Sequence, residues 1–112
     1  MIREIDSEEL MERMKGGSDL CLLDIRTDAE VARGVLPGAR HVPMHLLPGE
    51  IPRYPSDKDI VLYCRSGARS YHACSYLAQH GARNVINLSG GILAWARHGY
   101  EIEPPGARDT GT

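Results

Sequence analysis

The apolar positions of the chain fall into short runs separated by capped, periodic segments. Leu20 to Ile25 (LCLLDI) is brief and nearly all apolar, which predicts a central strand covered on both faces. Ile60-Val61-Leu62-Tyr63, after the polar Asp57-Lys58-Asp59, predicts a second buried strand, and Asn84 to Leu88 (NVINL) a third. His41-Val42-Pro43-Met44 adds a short strand before a proline-punctuated loop from Leu46 to Pro55. Helical signals fill the gaps. Asp6-Ser7-Glu8-Glu9 is a capping box with Asp6 as N-cap and Glu9 reaching back, and the stripe of Leu10 and Met14 stops at Gly16-Gly17. Thr27-Asp28-Ala29-Glu30 repeats the device, opening a short helix that Gly34 and Pro37-Gly38 close. From near Ser70 a further helix puts Tyr71, Cys74, Leu77 and Ala78 on one face and stops at Gly81, and Gly90-Gly91 leads into the amphipathic segment ILAWARHG. Strands alternating with helices through short connections predict an α/β fold with an open, mainly parallel sheet and ligands at the C-terminal strand ends.

Length bounds the architecture. The 112 residues suffice for one domain, expected over 1–103, that buries a core without staples, and the tail PPGARDTGT, 104–112, is expected to be disordered. Three cysteines, at 21, 64 and 74, form no C-x-x-C pair, so neither a disulfide framework nor a dithiol redox pair is expected and a reducing, cytoplasmic setting fits best. No apolar run approaches a membrane span, and the N-terminus lacks a signal-like segment. Net charge is −2, and the eleven arginines are scattered rather than clustered, which argues against a nucleic-acid surface. The five histidines do not suggest a metal: Pro43 spoils helical spacing between His41 and His45, and His72, His80 and His98 have no companion ligand set. Ser89-Gly90-Gly91 lacks the Lys-Ser/Thr of a phosphate-binding loop and the third glycine of a dinucleotide fingerprint, so helix entry explains it.

Candidate chemistry concentrates at Cys64. It stands where a strand ends and a glycine-bearing turn, Arg65-Ser66-Gly67-Ala68-Arg69, curls toward a helix starting near Ser70. Such a turn presents backbone N–H groups and the positive end of a helix dipole, which favour an anion, and a cysteine at that point can become one. Cys21, inside an apolar strand, and Cys74, on an apolar helix face, read as small buried hydrophobes.

Three motifs carry a family resemblance. LLDIRTDAEVARGVLPGARHVPM, VLYCRSGARS and NLSGGILAWARHGYEIE resemble, in this order and at domain-wide spacing over about residues 5 to 103, the strand-end, active-site-loop and closing segments of single-domain rhodaneses. Val35 departs from the pattern, where members often carry histidine. The resemblance implies a three-layer α/β domain and a thiosulfate sulfurtransferase activity needing no cofactor or metal. The Cys64 thiolate would take the outer sulfur of thiosulfate or a persulfide and hold it as a persulfide for cyanide or a thiol. Residues Arg65, Ser66, Gly67, Ala68, Arg69 and Ser70 would bind the small anionic donor. Asp24 would orient an arginine or the loop backbone and Arg26 would line the pocket mouth, the competing reading being a surface ion pair. Thioredoxin or a cysteine desulfurase are candidate partners. Acidifying the thiol alone accomplishes little, because a Brønsted slope of about 0.4 to 0.5 returns much of the gained thiolate as lost nucleophilicity, so N–H groups and guanidiniums are expected to contribute more. Rhodanese-like domains without activity, acting as sulfur-relay or regulatory modules, and cysteine phosphatases or a related arsenate reductase are the alternatives. The latter enzymes use C-x5-R, whereas Arg69 follows Cys64 as C-x4-R.

Overall fold

A computed structural model describes residues 2–106. Its centre is a five-stranded sheet of β1 (Arg3–Ile5), β2 (Leu20–Asp24), β3 (Arg40–His41), β4 (Asp59–Tyr63) and β5 (Val85–Leu88) in the order β1-β5-β4-β2-β3. Every pairing is parallel, as the alternation of strands and helices predicts. The helices are α1 (Ser7–Lys15), α2 (Asp28–Val31), α3 (Leu47–Glu50), α4 (Ala68–Gln79) and α5 (Gly91–Arg97). Among the described residues no helix is long and apolar enough to cross a membrane.

Because side chains alternate along a strand, the buried apolar runs feed two cores, one per face. On one face Leu23, Ile60, Leu62 and Val85 pack with Leu47 and Ile51 and with Ala73, Cys74 and Leu77 of α4. On the other Leu22, Val61, Tyr63 and Ile86 pack with Leu10 of α1 and Trp95 of α5. These are the three layers. β2 leads outward to β3 on one side, and β4 leads to β5 on the other, so the crevice at their C-terminal ends is the switch point of the sheet. Asp24 and Cys64 stand at that crevice.

Four local expectations change. β1 escapes the periodicity because three residues, two of them exposed, carry too little pattern; pairing with β5 makes the strand. The segment expected as a loop after Leu46 is helical, with α3 flanked by 3-10 turns at Met44–Leu46 and Ile51–Arg53. Pro48 and Pro52 sit in first turns, where a missing N–H costs nothing, and Leu47 and Ile51 turn a common face to the core. The short third strand begins at Arg40, one residue earlier than expected. α4 begins at Ala68, and its buried face is Ser70, Ala73, Cys74 and Leu77, while Tyr71 and Ala78 are exposed. The face is rotated because Ser70, polar by type, is buried for its hydrogen bonds. Of the expected tail, Pro104 to Gly106 follow a bridge between Val35 and Glu103, and 107–112 lie outside the described residues.

A buried polar knot ties β2 and β4 to the segment after α2. Asp24, wholly buried, accepts from the Arg26 backbone N–H at 2.9 Å and from its side chain through Nε at 2.9 and 3.1 Å and Nη2 at 2.7 Å. Arg26 Nη2 also donates to the Gly34 carbonyl at 2.6 Å, and its guanidinium carbon lies 5.7 Å from the centre of the Tyr63 ring. Burial opposes the Arg26 charge, but bonding to Asp24 more than offsets it, so the pKa is raised. The Tyr63 hydroxyl accepts from Leu36 N at 3.0 Å; burial, then the Asp24 charge, push its pKa up and keep it neutral. Asp24→Ala, which strands a buried guanidinium, should lower the free energy of urea unfolding by about 3–5 kcal/mol. Tyr63→Phe, which orphans one backbone N–H, should cost about 1–3 kcal/mol. Equal losses would mean that the ion pair contributes no more than a neutral hydrogen bond.

Candidate active site

The loop after β4 is built to surround one atom. Gly67 adopts φ +100°, a left-handed conformation that side-chain-bearing residues rarely take, and serves as N-cap of α4. This reversal aims the Gly67 N–H at Cys64 Sγ, 3.1 Å away. Ser70 Oγ lies 3.4 Å from the same sulfur. Cys64 is 1% exposed, and burial pushes its thiol pKa up. The Ser70 hydroxyl and the N–H groups of Ser70, Gly67 and Ser66 together outweigh that effect, and the pKa ends below the ordinary cysteine value. Cys74, equally buried but surrounded by apolar core, is pushed up to about 12, first by burial and then by Glu4. The two thiols are thus inverted by hydrogen bonding rather than by exposure.

The outward side of the loop is satisfied by α5. Ile92 N donates to the Cys64 carbonyl at 3.0 Å and Leu93 N to the Arg65 carbonyl at 3.1 Å. With its carbonyls bound from outside, the loop turns its N–H groups inward. Gly91 makes the approach possible: a Cβ there would stand 2.5 Å from both carbonyl oxygens. Helix entry therefore did not exhaust the meaning of Gly90-Gly91. No sequence pattern within the loop announces this contact.

The proton account at Ser70 brings in two further residues that sequence reasoning missed. Ser70 Oγ is 2.5 Å from Asn87 Oδ1, and Asn87 Nδ2 donates to the Gly67 carbonyl at 3.2 Å and to Glu4 Oε2 at 2.8 Å. Those two acceptors fix the amide orientation, so its oxygen faces Ser70 as an acceptor. The hydroxyl has one proton to give. It bonds Asn87 while the thiol can itself donate to Oγ, and it can turn to Sγ when the sulfur is ionised. A chain of hydrogen bonds thereby connects the buried sulfur to the edge strand β1.

The residues expected at the site are placed as follows. Arg65 and Ser66 are exposed on the loop and Ala68 is exposed at the first position of α4, while Gly67 and Ser70 are buried. Arg69, at the first turn of α4, is half-buried and gripped by Glu30 of α2 through two bonds, Nη1 to Oε1 at 2.8 Å and Nη2 to Oε2 at 2.7 Å. The Arg69 hydrogen bonds, more than any other influence, lower the Glu30 pKa to about 2. Glu30 also completes the expected capping box, its Oε1 accepting from Thr27 N and Oγ1 at 3.1 Å each. The structure thus gives Glu30 a second partner that its helix signature does not reveal. Asp24 and Arg26 are a buried pair on the face of Tyr63, where Arg26 is 5% exposed. Among the described residues no three His, Cys, Asp or Glu side chains are grouped as a metal ion would need.

Known proteins share the sequence pattern and the fold of this chain. Residues 6–98 match the family model of the rhodanese-like domain. The chain is 55% identical over 105 residues to a protein of Allochromatium vinosum named sulfurtransferase, covering 94% of this chain and 98% of that one. It is 40% identical over 94 residues to the putative sulfurtransferase YtwF of Bacillus subtilis, covering 84% and 90% respectively. Among solved structures, a rhodanese-like domain protein from Staphylococcus aureus superimposes with a TM-score of 0.79 at 29% identity, covering 91% of this chain and 99% of that one.

Two outcomes follow from these bonds. Ser70→Ala removes a donor that acts on the sulfur, so the midpoint of Cys64 alkylation against pH should move upward, as followed with iodoacetamide. An unchanged midpoint would assign the lowered pKa to the backbone alone. Glu30 has a depressed pKa in the folded state, so its stabilising pair with Arg69 is fully present above its ordinary value of 4.5 and is lost as pH falls toward about 2. The stability advantage of the native chain over Glu30→Gln should accordingly be flat above that range and shrink below it in urea titrations.

Proposed function

Because the chain belongs to the rhodanese-like sulfurtransferase family, we propose that it moves a sulfane sulfur from thiosulfate or a persulfide to a nucleophilic acceptor through a persulfide on Cys64. The observation that carries this reading is the convergence of the Gly67 N–H and the Ser70 hydroxyl on Cys64 Sγ at 3.1 and 3.4 Å. In the first half-reaction the Cys64 thiolate attacks the outer sulfur of the donor and the S–S bond breaks. The bonding pair leaves with sulfite, or with a thiolate when the donor is a persulfide. The negative charge then resides on the outer sulfur of Cys64–S–S⁻, among the loop N–H groups. In the second half-reaction a thiolate or cyanide attacks that outer sulfur, and the electron pair returns to Cys64.

No organic cofactor enters these steps, since the cysteine itself carries the sulfur. Three free cysteines favour a reducing cytoplasmic setting, in which the acceptor is a small thiol, cyanide or a thioredoxin and the donor a small anion or a cysteine-desulfurase persulfide. A sulfur-relay role uses the same intermediate. The phosphatase alternative is disfavoured at Ser70: this residue occupies the position where a C-x5-R loop has its arginine, and it is buried against Sγ and Asn87.

Intact-mass spectrometry after exposure to thiosulfate should detect one added sulfur atom, removable by reductant. Cys64→Ser should abolish the adduct and turnover with cyanide, while Cys21→Ser and Cys74→Ser retain both, with folding checked for all three. Near-normal turnover of Cys64→Ser would overturn the assignment. Cys64-dependent hydrolysis of aryl phosphates with no sulfur adduct would replace it by the phosphatase reading.

A further inference from the structure

The sequence places two cations, Arg65 and Arg69, beside the nucleophile, which would suit a dianionic donor. The folded chain alters that balance. The guanidinium of Arg69 is within electrostatic reach of Cys64, yet both of its terminal nitrogens are engaged by the Glu30 carboxylate at 2.8 and 2.7 Å. Arg26 is likewise matched by Asp24 at 2.7 Å. Around the loop, three guanidiniums (Arg26, Arg65 and Arg69) therefore meet two carboxylates (Asp24 and Glu30). The thiolate required for attack adds one more negative charge. Its loop N–H groups stabilise a single anionic sulfur, and Arg65 is left to attract whatever arrives.

From this arrangement we infer that Glu30 is a donor-specificity residue: by neutralising Arg69 it makes the loop mouth discriminate against a dianionic donor in favour of one with a neutral or singly charged leaving part. The inference rests on the sulfurtransferase reading above and adds to it the charge class of the donor. A persulfide carried on a thiol fits that class, delivering its outer sulfur with departure of a thiolate. Thiosulfate must bring two negative charges to a mouth that offers no net positive charge once Cys64 is ionised. Glu30 is suited to this part because it is anchored twice, to Arg69 and to the Thr27 cap. Glutamine preserves the shape and the capping acceptor while removing the charge.

The test compares thiosulfate with methanethiosulfonate, which donates sulfur by the same attack but carries one negative charge and releases a sulfinate. Both are assayed on the full chain with cyanide as acceptor, for the native protein, Glu30→Gln and Glu30→Asp. The ratio of kcat/KM for thiosulfate to that for methanethiosulfonate should rise about 5- to 10-fold in Glu30→Gln, the effect of one unbalanced charge near a partly solvated site. Glu30→Asp, which keeps the charge, should stay within about twofold of the native ratio, and the Glu30→Gln effect should fade with added salt. On the native protein, kcat/KM for thiosulfate should not fall as ionic strength rises; this second measurement stands even if a variant is poorly folded. An unchanged ratio in Glu30→Gln, an equal rise in Glu30→Asp, or a steep loss of native thiosulfate activity with salt would each overturn the inference. Failure of both donors to load sulfur on native Cys64 would instead remove the sulfurtransferase reading on which it rests.

Discussion

A carbonyl and an N–H leave each peptide in opposite directions, and the loop after β4 exploits that constraint. Its N–H groups can converge on Cys64 only if the carbonyls on the other side find donors elsewhere. The first free N–H groups of α5 supply them, at Ile92 and Leu93. Every other feature of the site depends on this docking. It requires Gly91, whose missing side chain lets the helix end approach the carbonyls of Cys64 and Arg65. It also requires β5 to lie beside β4, since β5 ends just before Gly90 and so delivers α5 to the loop. Trp95 in the core and its Nε1–H bond to the Glu101 carbonyl at 2.8 Å hold α5 in that position.

Cys64 and Cys74 separate two effects that are often merged. Both thiols are buried, and burial disfavours a thiolate; it is the larger cause of the raised pKa of Cys74, ahead of the Glu4 charge. Cys64 moves the opposite way because the turn surrounds it with donors. The site is therefore a polar pocket set into an apolar layer, since Cys64 belongs to the same core cluster as Cys74 and Leu77. Its hydrogen bonds compensate for absent water, and the Ser70–Asn87–Glu4 chain carries that compensation across α4, β5 and β1.

Charge is handled by pairing rather than by accumulation. Asp24 and Arg26 form a buried pair near the strand ends, and Glu30 and Arg69 form a more exposed one that joins α2 to α4. The first links β2, β4 and the segment after α2, where removing one partner would leave an uncompensated buried charge. The second contributes less to stability because solvent screens it, but it stands at the loop mouth, where it determines what field an incoming anion meets.

The sequence alone determined much of what rests on neighbours within a turn or a strand, though not β1 or the helical turns over 44–53. Apolar runs located β2, β4 and β5, the Asp6 cap located α1 (without the return bond from Glu9 that a full capping box adds), the Thr27/Glu30 capping box located α2, and Gly67 beside Cys64 located the turn that aims an N–H at the sulfur. These signals are legible because helix capping, strand alternation and turn geometry act over about two to five residues. Only the tertiary structure decided which distant groups meet. Glu30 reads as a helix cap until α2 is packed against α4, when it also becomes the partner of Arg69, 39 positions away. Asn87 reads as one polar residue in a strand until β5 lies between β1 and β4, when it connects Glu4 to Ser70. Ser70 likewise is buried against its polar type, rotating the face of α4 from the one its apolar residues suggest. Strand order is the physical reason: parallel pairing brings together residues far apart in the chain, and no local pattern records which strands become neighbours.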